Sequence, residues 1–222
     1  MARRALIEHR PWLAASLLAG VAYYFLWNNA IGGIWLILLK GAGVGFLAIY
    51  ALRRTKGLDG AILTLALALS AAADAVLEID FELGGVLFFA SHWVAVALYL
   101  RNRKPDAARN RKLLGALLLI ATPVGAYALS GDPLIGVYAI SLGAMAATAW
   151  TSRFPVSRVG LGALLFIVSD WLIFSRMGPL DLAPLPDILV WPTYYAAQFM
   201  IATGVVQTLR CERMRNSVQA DA

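Results

Sequence analysis

Four ionisable side chains lie within long apolar stretches of this 222-residue sequence, namely Lys40, Asp74, His92 and Asp170. An ionisable group inside an apolar helix is costly to bury, so it usually faces the interior of a helix bundle and marks a functional site. Two carboxyl groups in one pocket can divide acid–base chemistry, one donating a proton while the other stabilises a developing cation. Asp74 and Asp170 are therefore the candidate catalytic residues.

Polar residues at helical spacing extend this set. Glu78 follows Asp74 by four positions and Gln198 follows Tyr194 by four, so the members of each pair share a helix face. A polar stripe on an apolar helix is expected to surround a substrate or to form hydrogen bonds across helices. The supporting or substrate-binding candidates are Lys40, Glu78, His92, Tyr194 and Gln198.

Structural roles are alternatives for several of these residues. Either aspartate with Lys40 would make an ion pair that closes the bundle, and a lone histidine is often only a hydrogen-bonded packing residue. A metal site of Asp74, Asp170 and His92 is a further alternative, although two histidines and one cysteine supply few ligands. The sequence contains no HExxH, GxSxG or Walker motif.

The composition indicates which elements must position these groups. The chain is 60% hydrophobic and only 14% charged, with a mean hydropathy of +0.71. A soluble domain carries about 25% charged residues, so lipid must cover much of this surface. The net charge of +6 comes from basic residues placed between apolar runs, which is typical of topology signals and predicts no nucleic-acid partner.

Eight apolar runs are long enough to cross a bilayer as helices, since about 20 residues suffice. We therefore predict an all-α, polytopic membrane bundle of about eight transmembrane helices, forming one integral membrane domain over residues 1–222. The runs cover residues 11–28, 30–52, 60–79, 83–100, 112–130, 133–151, 158–175 and 188–209. By helix position, Asp74 and Asp170 are expected near one membrane face and Lys40 and His92 near mid-membrane, all lining one cavity.

Basic residues fall on one side of this arrangement. Of the nineteen lysines and arginines, all but Lys40 and Arg176 precede the first run or follow an even-numbered one. The positive-inside rule then places both termini in the cytoplasm, which in a bacterium implies the cell membrane.

Three stretches and Lys40 resemble motifs of the YhhN-like lysoplasmalogenase family of eight-span membrane enzymes. They follow in the family's order over about residues 35–205. The motifs are Ala73-Asp74 followed by Glu78, Phe81, Gly84, Phe88 and His92, then segment 162–170 ending in Asp170, and segment 193–198, which contains Tyr195. Departures from the family pattern at Gly41, Ala73, Ser91 and Ala95 concern packing and pocket shape.

The resemblance implies hydrolysis of the vinyl-ether bond of a lysoplasmalogen, a lysophospholipid, to a fatty aldehyde and a glycerophospho-base. It implies that Asp74 and Asp170 form the acid–base pair, in either order. Lys40 would bind the phosphate or hold one aspartate ionised, while residues such as His92 and Tyr194 would orient water or the headgroup, with Tyr195 in support. No metal or cofactor is expected.

Two rival functions use the same residues. Buried acids and a lysine also build proton relays, so a proton-coupled small-molecule transporter is one alternative. Many carriers have a duplicated half, and none is detectable here. The other alternative is a non-catalytic lipid-binding membrane protein that uses the cavity as a receptor.

Overall fold

The computed structural model describes residues 11–27, 33–180 and 182–220. These residues form eight α-helices and no strand, which confirms the predicted all-α membrane bundle. The helices are α1 (Pro11–Leu26), α2 (Ile34–Arg54), α3 (Leu58–Val76), α4 (Phe81–Arg101), α5 (Arg109–Ser130), α6 (Pro133–Thr151), α7 (Leu161–Ser175) and α8 (Leu185–Ala220). A π-helical turn, Val156–Gly160, leads into α7.

The helices have the length and composition of an integral membrane protein. Among the described residues, six segments are long and apolar enough to cross a membrane, namely α2 to α6 and the π-turn together with α7, and α1 is a shorter apolar helix. Polar residues such as Tyr194 and Gln198 lower the hydropathy of α8. Because they are buried against neighbouring helices, they do not meet lipid. The sidedness of the termini stays a prediction.

Consecutive helices pack against each other except α4 and α5; among the described residues α4 packs against α6 instead, and α8 also contacts α1, α2 and α3. The α3–α4, α5–α6 and α7–α8 connections therefore lie together at one end of the bundle, which we call the carboxylate end. The α2–α3 and α4–α5 connections and the π-turn lie at the other, the arginine end. Small residues permit the close contacts that membrane helices need. A Cβ at Gly162 of α7 would lie 3.0 Å from the Ala197 carbonyl of α8.

Two acids near the carboxylate end have local structural roles. Asp80 is the N-cap of α4, since its Oδ1 accepts a hydrogen bond from the Leu83 amide at 2.9 Å. Asp132 is the N-cap of α6, and its Oδ1 accepts a hydrogen bond from the Leu134 amide at 2.8 Å. Side-chain oxygens at this position satisfy amides that have no partner within the helix. Both acids thereby fix the helices that enter the site.

Two boundaries differ from the apolar runs by more than three residues. The helix α2 begins at Ile34 because Gly33 has a φ of 80°. Lys40 is thus six residues from the helix start, about 9 Å at the usual rise, and nearer the carboxylate end than the run 30–52 suggested. The helix α8 continues to Ala220, well past residue 209, because arginine, glutamate and glutamine are good helix formers in water.

Candidate active site

A cavity of about 520 Å³ opens at the carboxylate end, among α2, α3, α4, α6, α7 and α8. Most of its wall is apolar, from side chains such as Phe88, Ile135 and Phe174. Its polar residues are Lys40, Asp74, Glu82, Asp132, Tyr138, Ser169, Asp170 and Tyr194. This size and composition fit a ligand site, since such sites measure about 300–1,000 Å³ and pair apolar walls with a few polar groups.

Asp74 lies in the last turn of α3 and is only 2% exposed. Its Oδ2 accepts a hydrogen bond from the Tyr194 hydroxyl of α8 at 2.7 Å. That hydroxyl in turn accepts from Nε2 of Gln198, one turn further along α8, at 3.3 Å. As predicted, Tyr194 and Gln198 lie on one face of α8. Tyr194 bonds Asp74 directly, and Gln198 bonds Tyr194.

Asp170 lies in α7 and is 5% exposed. Its Oδ2 accepts a hydrogen bond from the Tyr138 hydroxyl of α6 at 3.0 Å. The two aspartates thus have parallel arrangements. Each is buried, borders the same cavity, and is held by a tyrosine from another helix.

Lys40 pairs with Glu78 and with neither aspartate. Its Nζ lies 2.5 Å from Oε1 of Glu78, in the turn after α3, and the same oxygen accepts from the Tyr23 hydroxyl at 3.3 Å. The side chain of Lys40 is 15% exposed and borders the cavity, whereas Glu78 does not border it. The alternative of an ion pair between Lys40 and an aspartate is therefore wrong, since Lys40 pairs with Glu78.

His92 does not border this cavity, so the prediction that four ionisable groups share it is wrong for His92. It lies eleven residues into α4, about 16 Å from the helix start. Its Nδ1 lies 3.1 Å from Oγ of Ser141, and Nε2 has no partner among the described residues. It borders a smaller, deeper cavity of about 20 Å³ together with Gln198.

A known protein family matches most of the chain. The model of the YhhN family matches residues 35–205. This chain belongs to the YhhN family. The match extends from α2 into α8 and includes every residue that borders the 520 Å³ cavity. No solved structure matches the chain.

Tyr195 points away from the 520 Å³ cavity that Tyr194 borders, because consecutive helix residues are turned by about 100° from each other. Its hydroxyl lies 2.8 Å from Oγ of Ser16, and its ring packs beside Gly20 of α1. It stacks on Trp191, with ring centroids 5.9 Å apart. The structure therefore gives Tyr195 a contact between α1 and α8 and no position at the cavity.

The metal alternative finds no geometric support in residues 11–27, 33–180 and 182–220. No three histidine, cysteine, aspartate or glutamate side chains in these ranges are close enough together to hold one ion. In particular, Asp74, Asp170 and His92 do not form such a group. In the YhhN bundle each of the two carboxyl groups accepts a hydrogen bond from one tyrosine hydroxyl.

Sequence reasoning missed Tyr138, which holds Asp170, and Ser141, which holds His92. Both are polar residues inside the sixth apolar run, three positions apart on one helix face. The same spacing argument that identified Tyr194 and Gln198 was available for them. However, the sixth run contains no aspartate, glutamate, lysine, arginine or histidine, so no charged residue marked that helix as part of a site.

Proposed function

We propose that this protein is a lysoplasmalogenase, a membrane-embedded hydrolase of the vinyl-ether bond of lysoplasmalogens. The observation that carries this proposal is the pair of buried aspartates, each held by a tyrosine, that border one largely apolar cavity. Membership of the YhhN family supports a membrane protein of that family, and the hydrolase activity is our proposal. No cofactor enters the proposed chemistry.

The cavity suits a lipid with one chain and one phosphate. The apolar wall would take the alkenyl chain, and the ammonium group of Lys40 would meet the phosphate. A lysine acts toward phosphate as a compact point charge. Between them, Asp74 and Asp170 would meet the vinyl ether, because both border the space that links the apolar wall to Lys40.

The reaction adds one water molecule across the ether bond. One carboxylic acid transfers its proton to the outer vinyl carbon, and the carbon next to the oxygen becomes an oxocarbenium ion. The second carboxylate stabilises this cation and takes a proton from the attacking water. The hemiacetal that forms then breaks its carbon–oxygen bond to the glycerol. The second acid, now protonated, gives its proton to the departing glycerol oxygen, and the first, now ionised, takes the hydroxyl proton of the hemiacetal. The aldehyde and the glycerophospho-base are released, and both acids return to their starting states.

The hydrogen bonds favour distinct roles for the two acids. A second negative charge in a low-dielectric pocket is unfavourable, so neighbouring carboxyl groups tend to share one proton. Asp74 receives the shorter bond, 2.7 Å, from a tyrosine that is itself held by Gln198. We therefore expect one of the two acids to serve as the stabilising carboxylate and the other as the proton donor.

The tyrosine hydroxyls are expected to contribute to turnover. Tyr194→Phe and Tyr138→Phe should each lower kcat by about 10- to 100-fold, because a hydrogen bond to a charged group contributes about 1.5–3 kcal/mol. Tyr195→Phe is the matched control, since it removes a hydroxyl that bonds only Ser16. Steady-state aldehyde release measures all three, and equal losses in all three would contradict the site.

The apolar wall can be tested at Gly85, which borders the cavity and has open space where a Cβ would lie. Gly85→Leu should raise KM for a long-chain substrate about tenfold, because the added side chain takes the place of part of the alkenyl chain. A short-chain substrate should be affected less. Gly85→Ala should keep a normal KM and stabilise the helix by about 1 kcal/mol.

The decisive experiment is turnover by the purified protein in detergent, without any gradient. It should release aldehyde from a lysoplasmalogen and leave the saturated 1-O-alkyl analogue intact, because only a vinyl ether can be protonated at carbon. A carrier or a lipid receptor would release no aldehyde. Absence of turnover in correctly folded protein would refute the hydrolase.

A further inference from the structure

A second cavity, of about 770 Å³, lies at the arginine end of the bundle. Three arginines border it from three different segments: Arg54 ends α2, Arg158 lies in the π-turn, and Arg210 belongs to α8. It shares no residue with the catalytic cavity. We propose that this cavity binds an anionic phospholipid, with its phosphate on the three guanidinium groups. This lipid is distinct from the hydrolase substrate.

The positive charge in this cavity is not neutralised by the part of the chain that the structure describes. No carboxylate borders it, and none of the three arginines has an acidic partner there. Elsewhere at the same end, two arginines have such partners among the described residues, Arg101 with Asp59 and Arg153 with Glu212. The contrast indicates that the three guanidinium groups are available for an external anion.

Arg54 gives the most direct indication of a ligand. Its Nε is buried and has no hydrogen-bond partner in residues 11–27, 33–180 and 182–220. A buried donor without a partner costs about 1–3 kcal/mol, and more for a charged group. Arginine binds phosphate through paired N–H groups, so a phosphate oxygen would satisfy this donor.

The backbone is built to bring the other two arginines together. A Cβ at Gly204 of α8 would lie 3.0 Å from Cβ of Arg158, so only glycine lets the π-turn approach this closely. Arg158 then donates through Nη1 to Oε1 of Gln207, one turn before Arg210 on α8. Single π-turns often mark functional positions in helical proteins.

The rest of the cavity wall is apolar and suits an acyl chain. Leu13 and Leu17 of α1 and Phe199 and Met200 of α8 border it. A free phosphate ion would contact only the arginines, whereas a phospholipid would contact both the arginines and the apolar wall. A zwitterionic headgroup would bring its own cation close to three positive charges, whereas an anionic headgroup carries a net negative charge, which favours the anionic lipid. Basic pockets between membrane helices on the cytoplasmic side commonly bind such headgroups.

The test is lipid binding to the purified, delipidated protein, measured by native mass spectrometry with dioleoyl phosphatidylglycerol and dioleoyl phosphatidylcholine. The wild type should prefer the phosphatidylglycerol by about tenfold. Replacing Arg54, Arg158 and Arg210 together with glutamine should abolish this preference. In a matched control, glutamine replaces three exposed residues at the same end, Arg109, Arg213 and Arg215. It removes the same charge and should keep the preference.

Three results would overturn the proposal. These are no lipid preference in the wild type, an equal loss in the control variant, and inorganic phosphate protecting the protein from heat as well as the lipid does. If the triple variant does not fold, the three single variants decide, and unchanged affinity in all of them would contradict the site. Because binding is measured and not turnover, failure here is distinguishable from failure of the hydrolase proposal.

Discussion

Replacing either Asp74 or Asp170 with asparagine is expected to reduce aldehyde release by about 10³-fold or more. Asparagine has the same shape and still accepts the tyrosine hydrogen bond, but it can neither carry the transferred proton nor balance the oxocarbenium ion. Loss of one general acid or base costs about 10²–10⁴-fold in rate, and here the lost carboxyl also provides charge stabilisation. Single-turnover aldehyde release from a lysoplasmalogen is the measurement.

Two comparisons make this test specific. Glu82→Gln changes another carboxyl group that borders the cavity, but Glu82 is exposed, so its activity should stay within about threefold of the wild type. The double variant Asp74→Asn, Asp170→Asn should be little worse than either single variant, because residues that act as a unit are not additive. Full activity in either single variant, with an unchanged thermal melt, would refute the paired-acid mechanism.

Lys40→Met is expected to raise KM by about 100-fold, with a smaller effect on kcat. The reason is that the lysine is the only cation among the residues that border the 520 Å³ cavity, and a charged contact to phosphate is worth about 2–3 kcal/mol. Lys40→Arg should recover part of the lost affinity. KM and kcat measured across pH, together with a thermal melt, separate binding from folding.

The ion pair with Glu78 supplies the matched control. Glu78→Gln removes the carboxylate charge of this ion pair but keeps the cation, so it should leave KM within about threefold of the wild type. The double variant Lys40→Met, Glu78→Gln removes the unpaired carboxylate and should recover stability without recovering affinity. If Glu78→Gln raised KM as much as Lys40→Met, the lysine would have a structural role instead.

The fold follows from the sequence because lipid imposes few solutions. With 14% charged residues and eight long apolar runs, the chain must form membrane helices that satisfy their own backbone hydrogen bonds. The cost of burying a charge likewise identified Asp74 and Asp170, since a carboxyl group in an apolar run requires a polar interior. Those two inferences need only composition and position along the chain.

Contacts between helices had to come from the tertiary structure. Helical spacing tells which residues of one helix share a face, but it contains no information about the rotation or neighbour of another helix. For that reason it missed the bond from Tyr138 to Asp170 and the pairing of Lys40 with Glu78. It also placed His92 in the wrong cavity.

The same division holds at the arginine end. The sequence showed an excess of basic residues there, which the positive-inside rule explains as a topology signal. Only the packing of α2, the π-turn and α8 separated Arg54, Arg158 and Arg210 from the arginines that have acidic partners. The sequence by itself determined which helices form and which carry charge. Packing decided which charges meet, because contacts between distant residues depend on how whole helices are rotated and placed.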